Sequence, residues 1–173
     1  MSLADSWSCD AHKTLNAPYD NGIVFCRSRD ALVQTMQATG SYLLYGEERD
    51  GMLYTPEMSR RARGIELWAA LRSLGRSGVD ALVSQLCARA RYFSQLLCSR
   101  GFRVFNQLVV ACDTPEETKA TLAEIQASGV CWCGGAVWQN EPVIRVSVCS
   151  WRTTLTDVEL SVAAFTSARE RAR

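Results

Sequence analysis

Ala4-Asp5-Ser6-Trp7-Ser8-Cys9-Asp10-Ala11-His12-Lys13-Thr14-Leu15-Asn16-Ala17-Pro18-Tyr19-Asp20-Asn21-Gly22 holds the only histidine of the chain, His12, beside one of its two lysines, Lys13. The other lysine is Lys119, and every remaining cationic side chain is an arginine. The difference is chemical. A desolvated lysine amine can lose its proton and attack a carbonyl to form an imine, whereas a guanidinium stays charged. An imidazole beside it can hydrogen-bond an anion such as a phosphate. A bare His-Lys pair says little, and a surface lysine next to a structural histidine is its plain alternative. The specificity lies in the flanks: Asp-Ser-Trp before the pair, then Asp-Ala-His-Lys, then Leu-Asn-x-Pro-Tyr-Asp-x-Gly.

Outward from this stretch, residues 4–13 read as a strand entering the lysine turn. Gly22-Ile23-Val24-Phe25-Cys26 reads as a second, buried strand, with Pro18, Asp20 and Asn21 marking the turn between them. Residues 29–38 predict a short helix, and residues 39–58 a long polar connection of the kind that is functional or disordered. From Ser59 the pattern becomes helical. Ile65, Trp68, Leu71 and Leu74 form one stripe ended by Gly75 and Gly78, and a second stripe runs from Val79 to Leu97 up to Gly101. Strands follow at residues 103–105 and 108–112. Thr114-Pro115-Glu116-Glu117 opens a helix that Gly129 ends. Residues 131–138 and 142–149 predict two strands paired around Asn140-Glu141, and Thr156-x-x-Glu159 predicts the cap of a last helix. Residues 1–57 are too few to close a core, so a division is expected there, with residues 58–173 forming an α/β unit of three or four strands.

The composition is that of an ordinary globular protein, with 47% hydrophobic and 21% charged residues in 173. A formal net charge of +1 supplies no whole-chain attraction to nucleic acid or to an acidic membrane. Arg60, Arg61 and Arg63 sit before a helical pattern and read as a solvated face or an anion contact. The eight cysteines fall mostly among apolar residues. Met1-Ser2-Leu3 is too short for a secretory signal and no apolar run reaches a membrane span, so free thiols in the cytoplasm are expected. Cys131-x-Cys133 lacks a second pair to complete a metal site, and in a strand its two thiols would share one face.

The quoted stretch resembles the cofactor-lysine segment of the pyridoxal-phosphate-dependent group II amino acid decarboxylases. Thr14 departs from the Trp usual there, which removes a ring but no reactive group. The resemblance continues through Tyr54-Thr55-Pro56-Glu57-x-Ser59-Arg60-Arg61-Ala62-Arg63-Gly64-Ile65-Glu66-Leu67-Trp68, Trp132-x-Gly134-Gly135-x-Val137-Trp138 and Ile144-Arg145-Val146-Ser147-Val148-Cys149-Ser150-Trp151. It implies an α/β fold, the C-terminal part of a fold type I pyridoxal-phosphate enzyme. Residues 1–57 would be the end of the large cofactor domain with the lysine segment and mobile loop, and residues 58–173 the small C-terminal domain.

The resemblance also implies roles. Lys13 would form the imine with the aldehyde of pyridoxal 5'-phosphate, and burial or nearby positive charge would keep its amine neutral. His12 would hydrogen-bond the cofactor phosphate, the alternative being a histidine satisfied by backbone. Asp10 would be a further cofactor contact, with Ser6 another candidate. Tyr42 would be the mobile-loop proton donor to the carbon left after CO2 departs, with Tyr45 or a plain surface tyrosine as alternatives. Arg145 would grip a carboxylate, or else form a structural ion pair. Arg61 and Arg63 read as structural. The implied reaction is loss of CO2 from an L-amino acid in a homodimer or larger assembly. The chain begins twelve residues before Lys13, and relatives carry a long stretch ahead of that point. It therefore reads as a fragment, inactive alone. The alternative is a non-catalytic α/β remnant acting in association.

Overall fold

The computed structural model describes residues 3–173, and the chain divides into two compact units, one ending at Leu74 and the other running Gly75–Arg173. The first unit takes in residues 58–74 as well as residues 1–57. Its physical marker is Gly75, whose φ of 63° and ψ of −179° interrupt the helix α2 (Gly64–Ser99). Only glycine adopts that conformation readily, so the two apolar stripes read from the sequence are two helical segments joined there. Gly78 lies within helix and stops nothing.

In the first unit, β1 (Ser6–Asp10) and β2 (Gly22–Cys26) form an antiparallel pair in which Trp7 faces Phe25 and Asp10 faces Gly22. The helix α1 (Arg29–Met36) follows, its N-terminus capped by the Ser28 hydroxyl accepting from the Ala31 amide. The connection after it is tied down locally. The Tyr45 hydroxyl donates to the Ala38 carbonyl at 2.5 Å, and Arg29 donates to the Tyr54 hydroxyl at 2.6 Å on a 3-10 turn, Gly51–Tyr54.

The second unit is a four-stranded antiparallel sheet in the order β3-β4-β6-β5, made of β3 (Arg103–Val104), β4 (Val109–Ala111), β5 (Gly134–Trp138) and β6 (Glu141–Arg145). The helices α3 (Pro115–Ser128) and α4 (Leu155–Ala172) complete it. The β5–β6 hairpin turns at Gln139 and Asn140, both at positive φ, one residue earlier than the sequence suggested. Such a two-residue turn matches the twist of the strands. The start of α3 is as expected: the Thr114 hydroxyl accepts from the Glu117 amide, Pro115 begins the helix, and Gly129 ends it in the left-handed conformation. The cap of α4 differs. Thr154 and Asp157 form the reciprocal box, not Thr156 and Glu159. Both pairs have the required spacing, and the helix opens at Leu155, two residues before the expected cap at Thr156 would place it.

Phe165 is at the centre of the core. It meets Phe93 and Phe102 edge-on, each at 5.9 Å between centroids, among Leu97, Val110, Ile125, Ile144 and Val158. Cys112 and Cys133 are buried, and burial pushes the Cys133 thiol up to about 12. Cys131 and Cys133 precede β5 rather than lying in it, with Trp132 exposed between them. Among the described residues no group of three or more His, Cys, Asp or Glu side chains is arranged to hold a metal. No helix among them is long and apolar enough to cross a membrane.

A buried arginine closes this unit. Arg169 donates to Glu117 and to Asp113, each at 2.8 Å, and to the Gly101 carbonyl at 2.7 Å, while stacking over Phe102. Arg169, with desolvation opposing, holds the Glu117 carboxyl down at about 2, assisted by Arg173 and the Asp113 amide. The ordinary value is 4.5. A depressed carboxyl contributes stability that is complete above its unfolded value and is lost as pH falls through the folded one. The acid limb of a stability-versus-pH curve is therefore expected to fall between about 4.5 and about 2, and Glu117→Gln to flatten it. Urea midpoints of both proteins across that range measure the effect.

Candidate functional site

Lys13 lies on the turn that leaves β1. The Lys13 amide donates to the Asp10 carbonyl at 3.1 Å, and the Asn16 amide returns to the Lys13 carbonyl at 3.3 Å. Asn16 sits at φ 52° and its side chain donates to the Lys13 carbonyl at 2.5 Å, a conformation and a bond that asparagine supports locally. Ala11 and Ala17 are buried beneath the turn and joined by an amide-to-carbonyl bond of 3.1 Å. The small apolar residues let the chain fold back closely, with Lys13 left exposed.

The Lys13 amine lies 2.6 Å from an Asp10 carboxylate oxygen, with both side chains well exposed. The hydrogen bond from Lys13 holds the Asp10 carboxyl below its ordinary value. This differs from the neutral, desolvated amine expected of an imine-forming lysine: a carboxylate neighbour and open solvent both favour the charged form. Asp10 accordingly pairs with the lysine.

His12 is half-buried. Its Nδ1 is 3.1 Å from the Asn21 amide nitrogen and 2.9 Å from the Asn21 carbonyl oxygen. The His12 amide donates to that same carbonyl at 3.2 Å, and the Tyr19 ring lies 4.3 Å from the imidazole. With Nδ1 engaged by backbone, Nε2 is the nitrogen left for an outside ligand. Beyond the turn, Arg63 donates to both oxygens of Asp20, at 2.9 and 3.0 Å, and holds that carboxyl at about 2. Arg61 contacts Asp20 at 3.8 Å and pairs closely with Glu66. The structural reading of these arginines has concrete partners. Sequence reasoning missed Asn21, which is 2% exposed and is treated by sequence rules only as a turn residue.

Tyr42 belongs to the same unit, is 78% exposed, and its hydroxyl makes no hydrogen bond among the described residues. Tyr45 by contrast has its hydroxyl proton committed to Ala38. Arg145 ends β6 in the other unit, paired with Val109 and Gly134. It is exposed beside buried Ile144 and forms no ion pair among the described residues.

The pyridoxal-dependent decarboxylase conserved domain matches residues 1–111. The chain belongs to that family. Aspartate 1-decarboxylase of Aliivibrio fischeri is 31% identical over 128 residues, covering 71% of this chain and 23% of that protein. Histidine decarboxylase of Mus musculus is 28% identical over 172 residues, covering 91% of this chain and 25% of that protein. Among solved structures, Oryza sativa TDC with PLP and tryptamine superposes with a TM-score of 0.85 at 20% identity, over 98% of this chain and 39% of that one. The fold is thus α/β, that of the C-terminal part of these enzymes. The chain spans about a quarter of the length of the curated relatives it matches.

Pyridoxal phosphate is the family's cofactor, and the donor set on this turn fits part of it. An exposed primary amine and, next to it in sequence, an imidazole whose Nδ1 is taken by backbone match an aldehyde and a phosphate on one small molecule. The groups that would enclose its ring are not among the residues of this turn.

Proposed function

We propose that this chain contributes the cofactor lysine, the phosphate-binding histidine and the small domain of a pyridoxal-phosphate-dependent carboxy-lyase that releases CO2 from an L-amino acid. The observation that carries the proposal is the lysine turn: an accessible Lys13 amine next to an imidazole whose Nδ1 is fixed by backbone. When bound, the cofactor supplies an electron sink for the pair left as CO2 departs. The residues of this chain do the rest. Lys13 holds the aldehyde end. His12 donates from Nε2 to the phosphate. Asp10 orients the amine through its ion pair, and that pair must open before the amine can attack. Tyr42 delivers a proton to the substrate carbon that has lost CO2, and Arg145 grips a carboxylate through its planar fork.

Residues 1–57 are proposed as the lysine and mobile-loop segment. Self-association in a homodimer is proposed from the exposed Trp7, Val24 and Phe25 on a two-stranded sheet whose outer edges are unpaired among the described residues. The free cysteines suit a reducing cytoplasm.

The contrary reading, a non-catalytic module, draws on the exposed Lys13–Asp10 ion pair, which favours a charged amine. Titration with pyridoxal phosphate separates the two. The lyase reading expects a visible absorbance band that saturates with cofactor and is absent in Lys13→Arg. The module reading expects none, or a band indifferent to that substitution.

A further inference from the structure

The residues that hold His12 come from far along the chain. Asn21 is buried, and its side-chain amide donates to the Arg63 carbonyl at 2.7 Å. Its backbone N–H points at His12 Nδ1 from 3.1 Å. The preceding residue, Asp20, receives the Arg63 guanidinium on both oxygens. Arg63 thus grips two consecutive residues, one by its side chain and one by its carbonyl, and the second of them holds the imidazole.

From this geometry we infer that Asn21 and Arg63 are positioning residues that fix His12 as an Nε2–H donor toward a phosphate monoester. This rests on the reading of His12 as the phosphate-binding group. A buried backbone N–H requires an acceptor, and Nδ1 of the neutral imidazole is the one the Asn21 amide meets. The proton of the neutral ring therefore sits on Nε2. In this tautomer the nitrogen left for a ligand is a donor, as a phosphate oxygen requires. The Arg63 fork is what holds the Asp20-Asn21 segment in register with the ring. A lysine in its place has the charge but not two parallel bonds.

The variants are Arg63→Gln and, on a well-exposed carboxylate that the unit can lose without a buried gap, Asp20→Asn. Each protein is incubated with pyridoxal 5'-phosphate or with pyridoxal, which lacks the phosphate, then reduced with borohydride, and the rate of mass gain at Lys13 is read by peptide mapping. In the unchanged protein the phosphate-bearing aldehyde is expected to label Lys13 faster. Both variants are expected to lose that preference by about tenfold, the equivalent of about 1.4 kcal/mol, while labelling by pyridoxal stays the same. An equal fall with both aldehydes, or a preference that survives, overturns the inference. Because His12 is the sole imidazole, its two ring-nitrogen resonances are also readable without cofactor. At neutral ring charge they are expected to show Nε2 protonated and Nδ1 accepting, giving way to a tautomer mixture in Arg63→Gln. A protonated Nδ1 in the unchanged neutral ring overturns the inference. Absence of any Lys13 labelling, with the expected tautomer present, counts against the proposed function and leaves the positioning intact.

Discussion

With Tyr42 in the proposed role of proton donor, Tyr42→Phe is expected to lower turnover of a decarboxylase carrying this chain by about 10²-fold or more, with substrate affinity little changed. A positioned proton donor contributes roughly 10²- to 10⁴-fold to a step. The substitution removes the donor and leaves the ring. A donor that acts only after CO2 has left contributes nothing to ground-state binding, so KM should hold while kcat falls. The substrate carbon, unprotonated for longer, is open to side reactions. The exposed Tyr42 hydroxyl has no competing acceptor among the described residues, whereas the Tyr45 proton is engaged by the Ala38 carbonyl. Unchanged kcat in Tyr42→Phe would remove Tyr42 from the mechanism. The companion variant Arg145→Lys is expected to do the reverse, raising KM with a smaller effect on kcat, because a point charge cannot make two parallel hydrogen bonds to a carboxylate. Steady-state kinetics on the two variants separates chemistry from binding.

Phe165→Ala is expected to destabilise the Gly75–Arg173 unit by about 3–5 kcal/mol. Phe165 has no exposed surface and is the ring against which both Phe93 and Phe102 pack. Its removal leaves two edge-on contacts without a partner and a cavity between α4 and the strands. Neighbours such as Leu97, Ile125 and Ile144 are themselves fully buried and held by sheet and helix, so collapse into the space is limited. The urea midpoint of this unit measures the loss. A change below about 1 kcal/mol would mean that the core does not depend on this ring.

The contrast between the two regions explains what the sequence disclosed. Local chemistry was legible. Thr114, Pro115 and Gly129 bound α3 because a cap hydroxyl, a preset φ and a left-handed glycine each act within a few residues. The last helix shows the limit of such rules: Thr154 with Asp157 and Thr156 with Glu159 have equal spacing, and only the geometry of the chain entering α4 decides between them. Long-range pairing was not legible. Asn21 and Asp20 reach Arg63 more than forty residues away, and nothing in the turn pattern announces that partner. The same contacts tie Arg63, the residue before α2, to the lysine turn within the first unit. The site was legible in kind, through His12 and Lys13, but not in state. Spacing does not reveal that Asp10, three residues before the lysine, turns its carboxylate onto the amine.

Chemical trapping tests most directly whether Lys13 is the lysine that takes the cofactor, as proposed. The protein is incubated with pyridoxal 5'-phosphate, reduced with borohydride, digested and mapped by mass. A pyridoxyl phosphate mass is expected on the peptide carrying Lys13, in excess over Lys119 and the amino terminus, and is expected to be lost in Lys13→Arg. Lys119 lies on α3 in the other unit and serves as the internal control for unselective reaction. Modification of Lys119 or the amino terminus with Lys13 untouched would contradict the account.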